Sequence, residues 1–151
     1  MRLFATLLIV VSTTLCGQAS DRAEAVNAVQ KLFDAMAAHD GALIRSTMLP
    51  DARIYSIRND GVPASRTAGD MAGQIAGIEG ALLERFTSQP AVSIRGRMAQ
   101  VWGEYEFLRD GKFTHCGVDS VGLFKTPEGW KIATLAYTVE PTGCKGHPHS
   151  F

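Results

Sequence analysis

The sequence predicts an α+β domain, with a curved antiparallel sheet wrapped around an N-terminal helix pair and a third helix. Three observations carry this. Apolar residues recur at helical spacing from Val26 to Met36 and again from Met71 to Phe86. After Pro90 the chain alternates between strand-like and turn-like stretches. The helical stretches mostly precede the long strands instead of interleaving with them, which favours helices gathered on one face of an antiparallel sheet.

The 151 residues, 46% of them hydrophobic, suit one compact domain. Lys and Arg number 15, as do Asp and Glu, for a net charge of +0. That balance lacks the basic excess of a nucleic-acid partner and the polybasic cluster of a membrane-surface one.

Residues 1–19 read as an export leader. Arg2 supplies a positive charge, Leu3 to Val11 are almost wholly apolar, and Gly17 and Ala19 are small residues flanking a cut after Ala19. The apolar run is shorter than the roughly 20 residues of a membrane-spanning helix. A buried N-terminal helix is one alternative. A lipid anchor on Cys16 is another, although Leu15 stands where a small residue is expected. The expected organisation is a leader over 1–19, a domain over 20–140 and a tail over 141–151, in a secreted or periplasmic protein. Removing the leader leaves 14 basic against 15 acidic residues.

Asp21 and Glu24 have capping-box spacing, so helix 1 is expected from Asp21 to about Ala38, buried through Val26, Val29, Phe33 and Met36. His39-Asp40-Gly41 breaks it, and Asp40 caps a short helix to about Met48. Arg53 to Arg58 alternates as a strand and Asn59-Asp60-Gly61 turns. Asp70 reads as the cap of a third helix, Met71 to Phe86, which Gly73, Gly77 and Gly80 weaken. Strands follow over 91–95, Met98–Leu108, Lys112–Phe124 and Trp130–Val139, with Asp110-Gly111 as a hairpin turn.

Counting back from an Arg109–Lys112 pair places Glu106 opposite His115, Glu104 opposite Gly117 and Trp102 opposite Asp119. One sheet face then clusters Trp102, Glu104, His115, Asp119 and Tyr137. The other carries Val101, Tyr105, Phe107, Cys116, Val118 and Phe124. Pairing from Thr126–Trp130 puts Cys116 opposite about Glu140, so that a turn through Pro141 and Gly143 brings Cys144 within bridging distance. An exported chain favours this disulfide; two free thiols are the alternative. His147 and His149 beside Cys144 suit a loose tail better than a metal site. No metal is expected, and no cofactor.

Several stretches resemble the nuclear-transport-factor-2-like, or cystatin-like, superfamily, in particular its small exported bacterial members. They are His39-Asp40-Gly41-Ala42-Leu43, Pro50-Asp51-Ala52, Val101-Trp102-Gly103-Glu104-Tyr105, His115-Cys116-Gly117-Val118-Asp119 and Gly129-Trp130-Lys131-Ile132. The resemblance spans about residues 21–139. It implies a cone with an internal cavity, lined here by the face bearing Trp102, Glu104 and Tyr137, with Tyr55 of the first strand. It also implies a homodimer through the outer sheet face. The superfamily contains binders and enzymes alike, so a bound small molecule is one expectation. Acid–base catalysis is a second, with His115 as base, Asp119 or Glu106 orienting it, and Tyr137 donating to an oxyanion. A polar network that only stabilises the sheet, in a purely structural dimer, is a third. Ketosteroid-isomerase chemistry is not supported, because Ser56 and Leu32 stand where that group has its base and its tyrosine. Only His115 matches the paired histidines of scytalone-dehydratase-like enzymes. The Asp and His of polyketide-cyclase-like members are loosely matched by Asp119 and His115.

Overall fold

The computed structural model describes residues 12–144 and residue 146, with side chains from residue 19 onward. Most of the expected leader, residues 1–11, lies outside the described residues, as do His147 and His149. Among the described residues, no helix is long and apolar enough to cross a membrane.

Helix α1 (Ser12–Ala37) buries Ala25, Ala28, Val29, Leu32, Phe33 and Met36 along one stripe. It begins before Asp21, so Asp21 and Glu24 do not cap it. Both instead face Lys125 across the domain, Glu24 at 3.5 Å. Asp40 caps α2 (Gly41–Thr47) by accepting from the Leu43 amide at 2.9 Å. Strand β1 (Met48–Arg58) turns into β2 (Pro63–Thr67), a strand the sequence reading leaves out.

Helix α3 (Ala68–Ala76) is shorter than expected, and its cap is Thr67, not Asp70. Asp70 is the third residue of a capping box: it accepts from the Thr67 amide while its own amide donates to Thr67 Oγ1. Gly77 ends the helix. Gly80 then takes φ +88°, and a Cβ there would lie 2.6 Å from the Asp110 carboxylate, which accepts from the Ala81 amide at 2.8 Å. The chain past Gly80 is therefore extended: Leu82 to Phe86, expected as helix, is strand β3. Strands β4 (Ala91–Arg95), β5 (Met98–Arg109), β6 (Lys112–Thr126) and β7 (Gly129–Val139) follow.

The sheet runs β2-β1-β7-β6-β5-β3, with β4 also paired to β5. It is curved, open and mixed, not purely antiparallel, because β1 lies parallel to β7. The helices cover its concave face over a core that includes Ile44, Ile54, Met71, Val101, Leu123 and Ile132. Burial of Trp130 and Ile132 fixes the last hairpin against that core.

Cys116 and Cys144 are bridged, with Cα atoms 5.9 Å apart, and Cys116 faces Glu140 in an antiparallel bridge as the register argument requires. The bond closes a loop over a sequence separation of 28. Intact-mass measurement with and without reductant is expected to show the bridge. Cys144→Ser is expected to lower unfolding free energy by roughly 3–4 kcal/mol in urea titrations.

Candidate functional site

Which side chains enter the cone is decided by one residue. From Arg109↔Lys112 and Leu108↔Phe113 the β5–β6 ladder steps to Phe107↔His115, leaving Thr114 as a bulge whose hydroxyl donates to the Phe107 carbonyl at 2.9 Å. The expected register ignored this residue. Beyond the bulge Glu106 faces Cys116, Gly103 faces Asp119 and Trp102 faces Ser120. The grouping of faces changes accordingly. Tyr105, Phe107, His115, Asp119 and, through Asp119↔Tyr137, Tyr137 share the concave face. Trp102 and Glu104 belong to the convex face with Cys116 and Val118, and both are exposed. Tyr55 also points outward, beside the inward Ile54, and is exposed. The structure thus separates Trp102, Glu104 and Tyr55 from the residues they were expected to join.

The concave face carries a pair of carboxyl groups. Glu84 of β3 stands opposite Phe107, on the inward side, and its carboxyl meets that of Asp119. Asp119 is 1% exposed, and neither of its buried oxygens has a hydrogen-bond donor among the ionised side chains and backbone around it. Two carboxylates only repel, whereas one proton between them makes a hydrogen bond. Burial, reinforced by the Asp119 charge, holds Glu84 well above the ordinary carboxylate range. Glu84 is therefore the proton carrier and donates to Asp119. Burial also pushes Asp119 up, to about 7, while the Glu84 hydrogen bond works the other way.

Two phenols and a cation surround the pair. Tyr105, 1% exposed, donates to the Thr138 carbonyl at 2.7 Å; burial, with Glu84 next, keeps its phenol protonated far above its usual range. Its ring meets Tyr137 edge-on at 6.4 Å. Tyr137 Oη accepts from Arg66 Nη2 at 3.0 Å. Arg66 also bonds Gln74 of α3. Arg66 comes from β2 and Glu84 from β3, the two edges of the sheet, yet the guanidinium charge acts on the Glu84 carboxyl. The sheet is curled far enough for its edges to address one site.

His115 is part of an aromatic stack, not of this pair. Its ring lies over Phe107 at 5.0 Å and edge-on to Tyr105 at 5.8 Å. Because the Thr114 hydroxyl already donates to Phe107, the 2.9 Å contact from His115 Nδ1 to Thr114 Oγ1 makes Nδ1 the protonated nitrogen. Burial, then Arg58, lowers the His115 pKa, so the ring is neutral at neutral pH. Asp119 is four residues along the same strand, about 13 Å away at strand rise. Glu106 is on the other face with Arg85, 2.5 Å from it. Neither carboxylate orients His115, and the expected His115–Asp119 couple is not formed.

Sequence reading missed Glu84 and Arg66 and placed Tyr105 on the opposite face. The signals for the first were the alternation Leu82-Leu83-Glu84-Arg85-Phe86 and the glycines before it. Gly117 marks the same region, since a Cβ there would lie 2.2 Å from the Thr138 carbonyl that Tyr105 bonds. Among the described residues, no group of three His, Cys, Asp or Glu is placed to hold a metal. On the convex side, Tyr55, Ile57, Pro63, Trp102 and Val118 line a groove of about 190 Å³.

Comparison with protein-family models finds no match, and neither does comparison with curated proteins. Solved structures do match. An NTF2-like superfamily protein from Salmonella enterica serovar Typhimurium is 16% identical, with a TM-score of 0.67 over 85% of this chain and 97% of that one. An NTF2-like protein with a cystatin-like fold from Novosphingobium aromaticivorans is also 16% identical, with a TM-score of 0.67 over 93% and 98%. An NTF2-like family protein from Streptomyces avermitilis, described provisionally as a dehydratase, is 19% identical, with a TM-score of 0.66 over 81% and 97%. The chain has the NTF2-like, cystatin-like fold.

The raised carboxyls fix a pH dependence. The folded state holds protons that the unfolded state releases near pH 4, so the pair's contribution is complete below that and declines as pH rises through about 7. Asp119→Asn removes the Asp119 titration. Its melting temperature is expected to match the wild type near pH 4 and to exceed it increasingly toward pH 8, by an amount corresponding to a few kcal/mol. A gap independent of pH in thermal unfolding would contradict the assignment.

Proposed function

We propose that the chain is an exported domain that binds a small, partly apolar molecule in the mouth of its cone and exchanges a proton with it. The observation that carries this reading is Asp119, a buried carboxylate whose only partner among the described residues is another carboxyl group. Such an arrangement costs stability and serves the fold poorly. It suits a group that must meet something else, and aromatic rings of Tyr105, Phe107 and Tyr137 share its face.

Proton exchange is supported by the same geometry. A carboxylate near neutrality is matched to taking a proton from a substrate C–H or O–H. Tyr137, polarised by the Arg66 bond to its oxygen, keeps its own O–H to donate to a substrate carbonyl or hydroxyl oxygen. In that step the proton moves to Asp119 and the charge moves to the substrate oxygen, where the Tyr137 O–H meets it. Glu84 holds its proton and orients Asp119. The roles expected of His115 pass to Asp119. The neighbour described provisionally as a dehydratase is consistent with chemistry of this kind on the fold.

A thermal-shift screen of small carbonyl and hydroxyl compounds is the test. Compounds that stabilise the wild type are expected to lose that effect in Asp119→Asn, and their activated C–H positions to exchange in D2O only with the wild type, read by proton NMR. Equal stabilisation of the variant would sink the reading.

Export is supported by the Cys116–Cys144 bridge and the leader pattern, and an exported sample is expected to start at Ser20 by intact mass. The convex face exposes Tyr55, Ile57, Met98, Trp102 and Phe124 together, a patch that a second copy would cover. Light scattering is expected to show a dimer at tens of micromolar, an order chosen to saturate a Kd near 1 μM, and Trp102→Glu is expected to give a monomer. Tyr105 and Phe107, first placed on that interface, lie inside the cone.

A further inference from the structure

We infer that the molecule taken by this site carries a carboxylate, and that Arg66 is the residue that selects it. The inference rests on the site proposed above and goes further by naming what the cation at its rim is for.

Arg66 is half-buried on the concave side of an edge strand. Its guanidinium is held by two neutral oxygens, Tyr137 Oη and Gln74 Oε1. Among the described residues, no carboxylate lies within ion-pair distance of it. Asp70, the acid nearest to it in sequence, is hydrogen-bonded by the Thr67 amide and hydroxyl; the Arg66 charge reaches it only at a distance beyond an ion pair. Glu84 feels its charge but is the protonated member of the carboxyl pair. A guanidinium offers five N–H donors in a planar fork. Two are used here, by acceptors that fix the plane of the fork without neutralising it. An oriented, half-buried cation with no carboxylate in direct contact among the described residues is a carboxylate receptor.

The polarity of the site sets how such a molecule lies. Its anion would be repelled by Asp119, so it goes to the Arg66 edge. Tyr137 touches Arg66 and is paired with Asp119 across the strands, so it spans the two ends. The part of the ligand beyond the carboxylate then passes Tyr137 toward the carboxyl pair. A short carboxylic acid with an apolar or aromatic body fits this order of groups; the corresponding amide lacks the charge for the fork.

Matched probes separate this from the reading beneath it: cinnamate against cinnamamide, and 3-phenylpropionate against its amide, titrated by calorimetry on the full mature chain. The acid of each pair is expected to bind about tenfold more tightly or better, the range of a charged hydrogen bond. Arg66→Gln is expected to abolish the preference, leaving acid and amide with equal affinity, and Arg66→Lys to restore part of it. Gln74→Ala, which frees the fork without removing it, is expected to weaken the acid alone, and it serves as the test if Arg66→Gln does not fold. Equal binding of acid and amide by the wild type overturns the inference and leaves the site reading intact. A preference for the acid that survives in Arg66→Gln, or in Gln74→Ala where that variant serves, overturns the role of Arg66. Failure of both members of both pairs overturns the inference together with the site reading.

Discussion

The interior of this molecule depends on one unpaired residue in a β-ladder. Thr114 is inserted between two otherwise regular runs of pairing, and its hydroxyl seals the insertion by bonding the Phe107 carbonyl. A bulge shifts one strand against its neighbour by a single position, and a single position exchanges the two faces of a strand. Without it, Trp102 would join Asp119 in the cone and Tyr105 would point outward. With it, the concave face receives Tyr105 and Phe107, and the indole of Trp102 goes to the convex side. A second irregularity, between Gly122 and Leu123, corrects the β6–β7 register. This is why Asp119↔Tyr137 comes out as a loop of three residues would give, although the turn itself holds two.

The residues legible in the sequence were those whose position depends on local chemistry. Asp40 caps a helix because its side chain reaches an amide three residues on. Trp130 and Ile132 are core because they alternate on a hairpin with a clear turn. The Cys116–Cys144 bridge followed from counting along one hairpin. Glu84 and Arg66 were not legible, for different reasons. Glu84 follows a helix whose apolar spacing runs on past Gly77, so the helical period hides the strand. Arg66 sits in a strand of five residues on an edge, too short and too polar to carry a pattern. Their placement on one concave face depends on the curl of the whole sheet, which no local signal encodes. Asp119 was legible as a candidate, but its partner was not: the sequence offered His115, four positions away, and the fold supplied Glu84 from another strand.

The groups around the carboxyl pair differ in how far the fold itself occupies them. Tyr105 spends its hydroxyl on the Thr138 carbonyl and so stiffens the strand that carries Tyr137. Glu84 spends its proton on Asp119. His115 is neutral and stacked, which contributes packing instead of charge. Among the described residues, the Tyr137 O–H and the outer edge of the Arg66 guanidinium are given no acceptor, and Asp119 takes only the Glu84 proton. Polar groups that the fold does not use for itself are the ones that define what it can receive.

The parallel pairing of β1 with β7 places the last strand of the chain in the middle of the sheet, between the first strand and β6. During synthesis, β1 and its hairpin partner β2 emerge early and have no other neighbour in the sheet until the final strand arrives. The β3–β4–β5–β6 half likewise lacks its junction to them. The nascent chain thus holds two open half-sheets, and closure is a single late event of high sequence separation, slow relative to local folding. A polypeptide built this way leaves its sheet unclosed until β7 has emerged, and only then does the Cys144 thiol come into register with Cys116.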